Sequence, residues 1–204
     1  SIGSVQVIAP GQVNFMTAGR GIAHSELSSR TDGNLHAVQL WLALPESDRN
    51  REPMFEHRAE LPVFDIDGAT ITVFAGSVLG HASPATMFTD SFGAEVLLPA
   101  GTSIEIPIDN THEAGVLVVD GSATVNGAET ATTELAFAEA GADVIRIESA
   151  TGARAVVLGG TPFTERLVMW WNFVERTHAE IRDAREQWEA GDPRFGEFSD
   201  HIGG

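Results

Sequence analysis

A histidine and a glutamate two residues apart, His24 and Glu26, are the residues of this chain best suited to chemistry. They end the stretch TAGRGIAHSE, in which a Gly-Arg-Gly turn precedes a short apolar step. Side chains two apart on a β-strand point to the same face, so both could reach one ion. A nitrogen and a carboxylate oxygen suit Fe(II), Mn, Ni or Zn. Spacing alone leaves the alternative open that Glu26 forms an ion pair with Arg20 or Arg30.

Two ligands do not complete a catalytic metal site, which usually has three or four protein ligands. The chain has no cysteine, so any further ligand must come from His, Asp, Glu or water. The other histidines are predicted to be structural or solvated; they are His36, His57, His81, His112, His178 and His201.

Composition restricts the class of protein. The chain has 204 residues, 43% of them hydrophobic, and a net charge of −17, which argues against direct binding of nucleic acid. Its apolar runs are shorter than the roughly 18–20 residues of a membrane span. With no visible signal peptide, we expect a soluble, cytoplasmic protein with no membrane partner. The start at Ser1 instead of Met suggests that an upstream segment has been removed.

Most of the chain consists of short apolar segments separated by Gly, Pro, Asn and Asp, a pattern that predicts an all-β barrel or sandwich. The segments are 4–8, 13–16, 36–44, 70–74, 95–98, 103–108, 116–119, 123–125, 144–147 and 155–158. Segment 36–44 is apolar on both faces, as in a strand inside a barrel. Segment 70–74 follows Asp67-Gly68, a dipeptide typical of a hairpin turn. Residues 45–62 are polar and predict a surface loop or a short helical excursion.

The C-terminal part contains the one predicted helix. Thr177 and Glu180 have the spacing of a capping box. Ile181, Ala184 and Trp188 then form an apolar stripe, which we expect to dock against the β core and bury Trp188.

An aromatic patch, Met169-Trp-Trp-Asn-Phe173, precedes this helix. It is suited to stacking on a flat ligand, but core packing or docking between domains is the more common use of such residues.

Several stretches of the sequence resemble the pirin family. They are Pro10 to Glu26, His36 to Pro45, Gly159 to Phe163, and Met169 to Val174 with the helix that continues to Gly196. The resemblance implies a bicupin, with two cupin barrels in tandem and a C-terminal helix. Residues 1–82 would be the remaining, incomplete part of the N-terminal cupin plus a linker, and 83–204 a metal-free C-terminal cupin.

The resemblance also implies that His24 and Glu26 are the last two of four iron ligands, and that Glu26 can act as a base. The first two ligands belong to a His-x-His motif upstream, and no His-x-His occurs in this sequence. We therefore expect Fe(II), or another divalent metal, in the complete protein and weak or absent binding in this chain.

What the resemblance implies about function has three forms. The first is an iron-dependent dioxygenase of the quercetin 2,3-dioxygenase type, acting on a small flavonol-like substrate. The second is a regulatory protein, such as a transcription cofactor or a modulator of a metabolic enzyme, whose metal or redox state sets its affinity for a protein partner. The third is an inactive fragment.

Overall fold

The computed structural model describes residues 1–27 and 36–196, which are mostly β-strands with one α-helix. The strands are β1 (Val13–Thr17), β2 (Met54–Arg58), β3 (Val63–Ile66), β4 (Ala69–Ala75), β5 (Ser77–Val78), β6 (His81–Ala82), β7 (Ser91–Leu98), β8 (Thr102–Pro107), β9 (Glu113–Gly121), β10 (Ala123–Val125), β11 (Ala128–Thr130), β12 (Leu135–Ala138), β13 (Val144–Ser149), β14 (Ala153–Gly160), β15 (Val168–Trp170) and β16 (Phe173–Glu175). The helix α1 spans His178–Glu189, and a 3₁₀-helix spans Pro193–Phe195. The prediction of an all-β fold with a C-terminal helix is confirmed.

The chain divides into two compact units. The first comprises Ser1–Gln6, Met16–Phe55 and Thr164–Gly204, and the second comprises Val7–Phe15 and Glu56–Phe163.

The second unit is built from two antiparallel sheets. One has the strand order β12-β9-β14-β7-β4-β3, and the other has the order β11-β10-β13-β8. The inward-facing residues alternate along each strand, as Ile145 and Ile147 do on β13 and Ile104 and Ile106 do on β8. These side chains join those of the six-stranded sheet in one aliphatic core.

Strands β3 and β4 are joined by the turn Asp67-Gly68, at which both residues have positive φ, 49° and 85°. This is the conformation that a two-residue hairpin of the favoured type requires, and Asp-Gly supplies it. The hairpin predicted from the sequence is therefore confirmed. The hairpin belongs to the six-stranded sheet, because β4 also pairs with β7. These two strands lie on opposite sides of the predicted domain boundary at residue 82. The division of the chain into 1–82 and 83–204 stays a prediction.

Two segments that the sequence predicts as strands do not form them. Residues 4–8 and 36–44 have no strand hydrogen bonding, and most of their apolar side chains are exposed, Trp41 and Leu42 among them. A strand that is apolar on both faces needs neighbouring strands to cover it. Among the described strands none pairs with 36–44. The predicted loop at 45–62 is also interrupted, since β2 lies within it.

The predicted capping box is present at the start of α1. The Thr177 hydroxyl accepts a hydrogen bond from the Glu180 amide at 3.2 Å and donates one to the Glu180 carboxylate at 2.8 Å. Ile181 and Ala184 are buried, as the apolar stripe predicts.

The prediction for Trp188 is wrong, because 38% of this residue is exposed. Helix α1 packs against the hairpin β15–β16, and Trp188 makes edge contacts with Trp171 and Phe195. The end of the apolar stripe therefore contacts other aromatic rings at the surface.

Within the described ranges, no helix has the length and apolar character needed to cross a bilayer.

Candidate functional site

The segment that carries His24 and Glu26 forms neither helix nor strand. His24 Nε2 lies 3.9 Å from Glu26 Oε1, and the two side chains are 44% and 74% exposed. The i, i+2 spacing therefore does bring the imidazole and the carboxylate together. The strand on which that expectation depended is not formed.

The structure describes one of the two arginines that could form an ion pair with Glu26. Arg20 forms an ion pair with Glu52, so the pairing of Arg20 with Glu26 does not occur. Arg30 lies outside the described residues.

The pair fits half of a metal site. Two donor atoms that bind one ion side by side, each at about 2.1 Å, lie about 3 Å from each other. A small side-chain rotation would therefore bring His24 Nε2 and Glu26 Oε1 from 3.9 Å to this distance. Among residues 1–27 and 36–196, no group of three or more His, Cys, Asp or Glu side chains is placed to hold a metal. His24 and Glu26 can thus supply one nitrogen and one oxygen ligand, with the remaining positions left to other donors.

The Gly-Arg-Gly turn before the pair is locked to the loop that contains Arg51. The Arg20 amide donates to the Arg51 carbonyl oxygen at 3.0 Å, and the Gly21 amide donates to that of Ala18 at 2.9 Å. Gly19 has φ of 53°, and a Cβ there would overlap the Arg51 carbonyl oxygen. Only glycine combines this left-handed conformation with such close backbone contact.

The C-terminal 3₁₀-helix holds the other side of the turn. A Cβ on Gly21 would lie 3.3 Å from the Phe195 ring, and the Arg194 side chain donates to the Arg20 carbonyl oxygen. Two residues later, the Ala23 amide donates to the Ser1 hydroxyl at 3.0 Å. The backbone that leads to His24 is therefore fixed on several sides.

A network of charges that no local sequence pattern marks fixes the loop itself. Arg49 donates to Glu175 at 2.9 Å and to Glu180 at 2.6 Å. Arg176 donates to the Leu44 carbonyl oxygen at 2.7 Å. The network joins the 44–51 loop to β16 and α1, so α1 helps to position the backbone that Gly19 contacts.

The carboxylates of this network have shifted pKa values. Hydrogen bonds from Arg49 and Thr177 lower the pKa of Glu180 to about 2 from 4.5. Burial raises the pKa of Glu175, and the nearby charge of Arg49 opposes that effect. Glu180 is consequently ionised throughout the neutral range and stabilises the fold as an anion.

Replacing Glu180 by Gln is expected to lower the stability at neutral pH by about 1–2 kcal/mol, because a charged hydrogen-bond acceptor is lost. The folded-state pKa of Glu180 is depressed, so its contribution is fully present above about pH 4.5 and is lost as the pH falls towards 2. Thermal unfolding of parent and variant measured across this range should show melting temperatures that converge at the acid end.

The matched control is Glu186→Gln, an exposed carboxylate on the same helix. It should leave the melting temperature within about 1 °C of the parent at every pH. A difference between Glu180→Gln and the parent that stays constant down to pH 2 would contradict the assigned role of the charge.

Three histidines of the second unit have protein partners in keeping with the structural roles predicted for them. His112 Nε2 lies 3.1 Å from Asp90 Oδ2, and His57 Nδ1 lies 2.8 Å from Asn14 Oδ1. The His81 ring stacks on Phe64 with the centroids 3.8 Å apart.

The barrel of the second unit is filled by aliphatic side chains. Over the described part of the chain, the buried polar residues are Thr17, Thr130 and Ser149, none of which is titratable at neutral pH. His24 and Glu26 therefore remain the pair best suited to chemistry.

Comparison with known families assigns both parts of the sequence. The pirin C-terminal cupin domain matches residues 93–196, and the pirin family itself matches residues 1–42.

Individual relatives agree with this assignment. A Pseudomonas aeruginosa protein, named provisionally as a quercetin 2,3-dioxygenase, is 41% identical over 96% of this chain and 62% of its own length. A pirin-like protein of Caulobacter vibrioides is 31% identical over 94% of this chain and 67% of its own length. The chain thus spans less than two thirds of the Pseudomonas relative.

A solved structure matches along the whole chain. The crystal structure of quercetin 2,3-dioxygenase from Acinetobacter baumannii superposes with a TM-score of 0.94 at 42% identity, covering 100% of this chain and 68% of that protein. The all-β architecture, the two family matches and these relatives all agree: the chain belongs to the pirin family.

Proposed function

We propose that this chain is part of a metal-dependent oxygenase of the quercetin 2,3-dioxygenase type, in which His24 and Glu26 are two of the metal ligands. The observation that carries the proposal is the convergence of the imidazole and the carboxylate to 3.9 Å on a backbone fixed by the Gly19–Gly21 turn. The similarity to the Acinetobacter baumannii protein along the whole chain supports the reaction class.

The residues of this chain have distinct tasks in such a reaction. Bound Fe(II) would supply the site at which a flavonol-like substrate and dioxygen meet. The neutral imidazole of His24 would hold the metal through a nitrogen lone pair. The Glu26 carboxylate would add a negative oxygen ligand and can take the proton of a substrate hydroxyl, since both roles use the ionised form.

Completion of the site requires two further ligands. The resemblance to pirins places them in a His-x-His motif, and this sequence has no such motif. We therefore infer that they come from polypeptide beyond these 204 residues.

The chain as it stands is expected to bind Fe(II) or Zn weakly or not at all, because two ligands leave most of the coordination to water. Equilibrium dialysis followed by elemental analysis measures this directly. A tightly held ion, one per chain, would show that another residue such as His36, or a second chain, completes the site.

The oxygenase activity itself is tested by quercetin turnover with Fe(II) in a version of the chain extended by a His-x-His segment. The parent should consume dioxygen with the flavonol, and His24→Ala should not. Retained turnover in His24→Ala would exclude this residue as a ligand.

A second function, regulation through a protein partner, is favoured by one observation. Within residues 38–42, the side chains of Val38, Leu40, Trp41 and Leu42 are all more than two-fifths exposed. Contiguous exposed apolar surface is typical of interaction sites. In a version of the protein with additional upstream residues, the regulatory function predicts that this segment stays exposed. A complete barrel would instead cover the segment. Hydrogen exchange distinguishes the two, because only a covered segment would have protected amides.

A further inference from the structure

An open groove of about 560 Å³ lies between the hairpin β15–β16 and helix α1 in the first unit. It is lined by Trp170, Trp171, Arg185 and Glu189. Trp170 is 46% exposed and Trp171 is 63% exposed. Two large aromatic side chains therefore present a good part of their surface to solvent, next to a cation.

Trp171 adopts a conformation that suits glycine. Trp170 pairs with Phe173, so Trp171 and Asn172 form a two-residue hairpin turn. Trp171 has φ of 51°, in the left-handed region that a bulky side chain rarely adopts. Its ring is also largely exposed, so burial does little to offset the unfavourable backbone. Strain of this kind at an exposed residue points to a role in binding.

The exposed ring is nevertheless held in place by its neighbours. Trp171 makes edge contacts with Phe173 at 6.3 Å and with Trp188 at 6.4 Å between centroids. Trp188 in turn contacts Phe195 at 5.3 Å. A ring supported in this way offers a preorganised surface for stacking, which reduces the entropy lost when a ligand binds.

Arg185 adds a directional donor to the groove. Its Nε donates to Glu189 at 2.8 Å, and its guanidinium lies 5.7 Å from the centre of the Trp170 ring. Within the described part of the chain, neither of its terminal nitrogens has a hydrogen-bond partner. Glu189 thus orients the guanidinium and leaves its outer edge for a carboxylate, which this fork binds through two parallel hydrogen bonds.

We propose that this groove binds a planar aromatic carboxylate. The ring of the ligand stacks on Trp171, whose plane is inclined by 62° to that of Trp170, and its carboxylate accepts hydrogen bonds from the terminal nitrogens of Arg185. The groove is open, which suits a flat molecule that uses one face. None of the residues that line it is His24 or Glu26, so the proposal does not depend on the oxygenase function.

Calorimetric titration of the full chain with naphthoate, and with the neutral naphthamide, tests the carboxylate. Naphthoate should bind at one site per chain and at least tenfold more tightly than naphthamide, because only the anion pairs with the guanidinium. Arg185→Gln should abolish that preference. Arg182→Gln, an exposed arginine on the same helix that pairs with Asp183, should retain it. Equal binding of the two probes, no binding at millimolar concentration, or an unchanged preference in Arg185→Gln would each overturn the proposal.

Trp171→Gly tests the aromatic half of the groove. Glycine adopts the observed φ freely, so the variant should keep or exceed the melting temperature of the parent. It should bind naphthoate at least tenfold more weakly because the stacking surface is gone. Retained affinity would contradict the proposal. A lowered melting temperature would contradict it as well, since it would show that the ring serves the fold.

Discussion

Gly19→Ala is expected to be among the most damaging single substitutions in the first unit. Alanine would have to adopt φ of 53° and place its Cβ against the Arg51 carbonyl oxygen, so the turn and the loop must separate. The left-handed conformation alone costs about 1–2 kcal/mol, and loss of the Arg20–Arg51 backbone hydrogen bond brings the total to about 3 kcal/mol. Thermal unfolding should show a melting temperature lower by roughly 6–12 °C.

Gly11→Ala is the matched control for this effect. Gly11 also has positive φ, 79°, but a Cβ there would have no atom within 4 Å. Gly11→Ala therefore places alanine in the unfavourable left-handed conformation without creating a close contact. Its melting temperature should fall by about half as much as that of Gly19→Ala, or less. Equal shifts for the two variants would show that the contact with Arg51 contributes nothing.

Predictions from the sequence succeeded where a few neighbouring residues decide the structure. The capping box at Thr177 and Glu180 and the Asp67-Gly68 hairpin turn involve contacts within three or four positions. The alternating strands of the second unit were recognised because each buries one face in the same aliphatic core. In these cases the local pattern and the tertiary packing favour the same structure.

Predictions failed where distant segments decide the structure. Segment 36–44 has the composition of a buried strand, but among the described strands it has no partner. Trp188 was placed in the core by its position on the helical stripe, and its actual neighbours, Trp171 and Phe195, come from segments whose paths the stripe does not specify.

The site was only partly accessible from the sequence for the same reason. The spacing of His24 and Glu26 was enough to pair them, and Gly19 and Gly21 marked a turn. Arg49 gave no such signal, because its partners lie 126 and 131 residues away in the chain. A charged loop residue of this kind is usually solvated, and only the fold shows that it joins three elements.

In a longer version of the protein that supplies two further histidine ligands, Glu26→Gln is expected to reduce flavonol cleavage by about 100-fold or more. The substitution keeps the size of the side chain and removes both its charge and its basicity. Iron retention should fall with the rate, because an amide oxygen is a weaker ligand for a divalent cation than a carboxylate. Dioxygen consumption with quercetin and the iron content after gel filtration measure the two effects on the same sample.

Glu113→Gln provides the control, because Glu113 lies at the start of β9 in the second unit, whose barrel interior is aliphatic. It should change neither iron content nor turnover. Activity of Glu26→Gln equal to that of the parent would exclude Glu26 as ligand and base. Lost activity in Glu113→Gln at unchanged stability would place the chemistry in the second unit. Loss of turnover at unchanged iron content in Glu26→Gln would separate the two roles, because it would leave Glu26 as a base that is not needed to hold the metal.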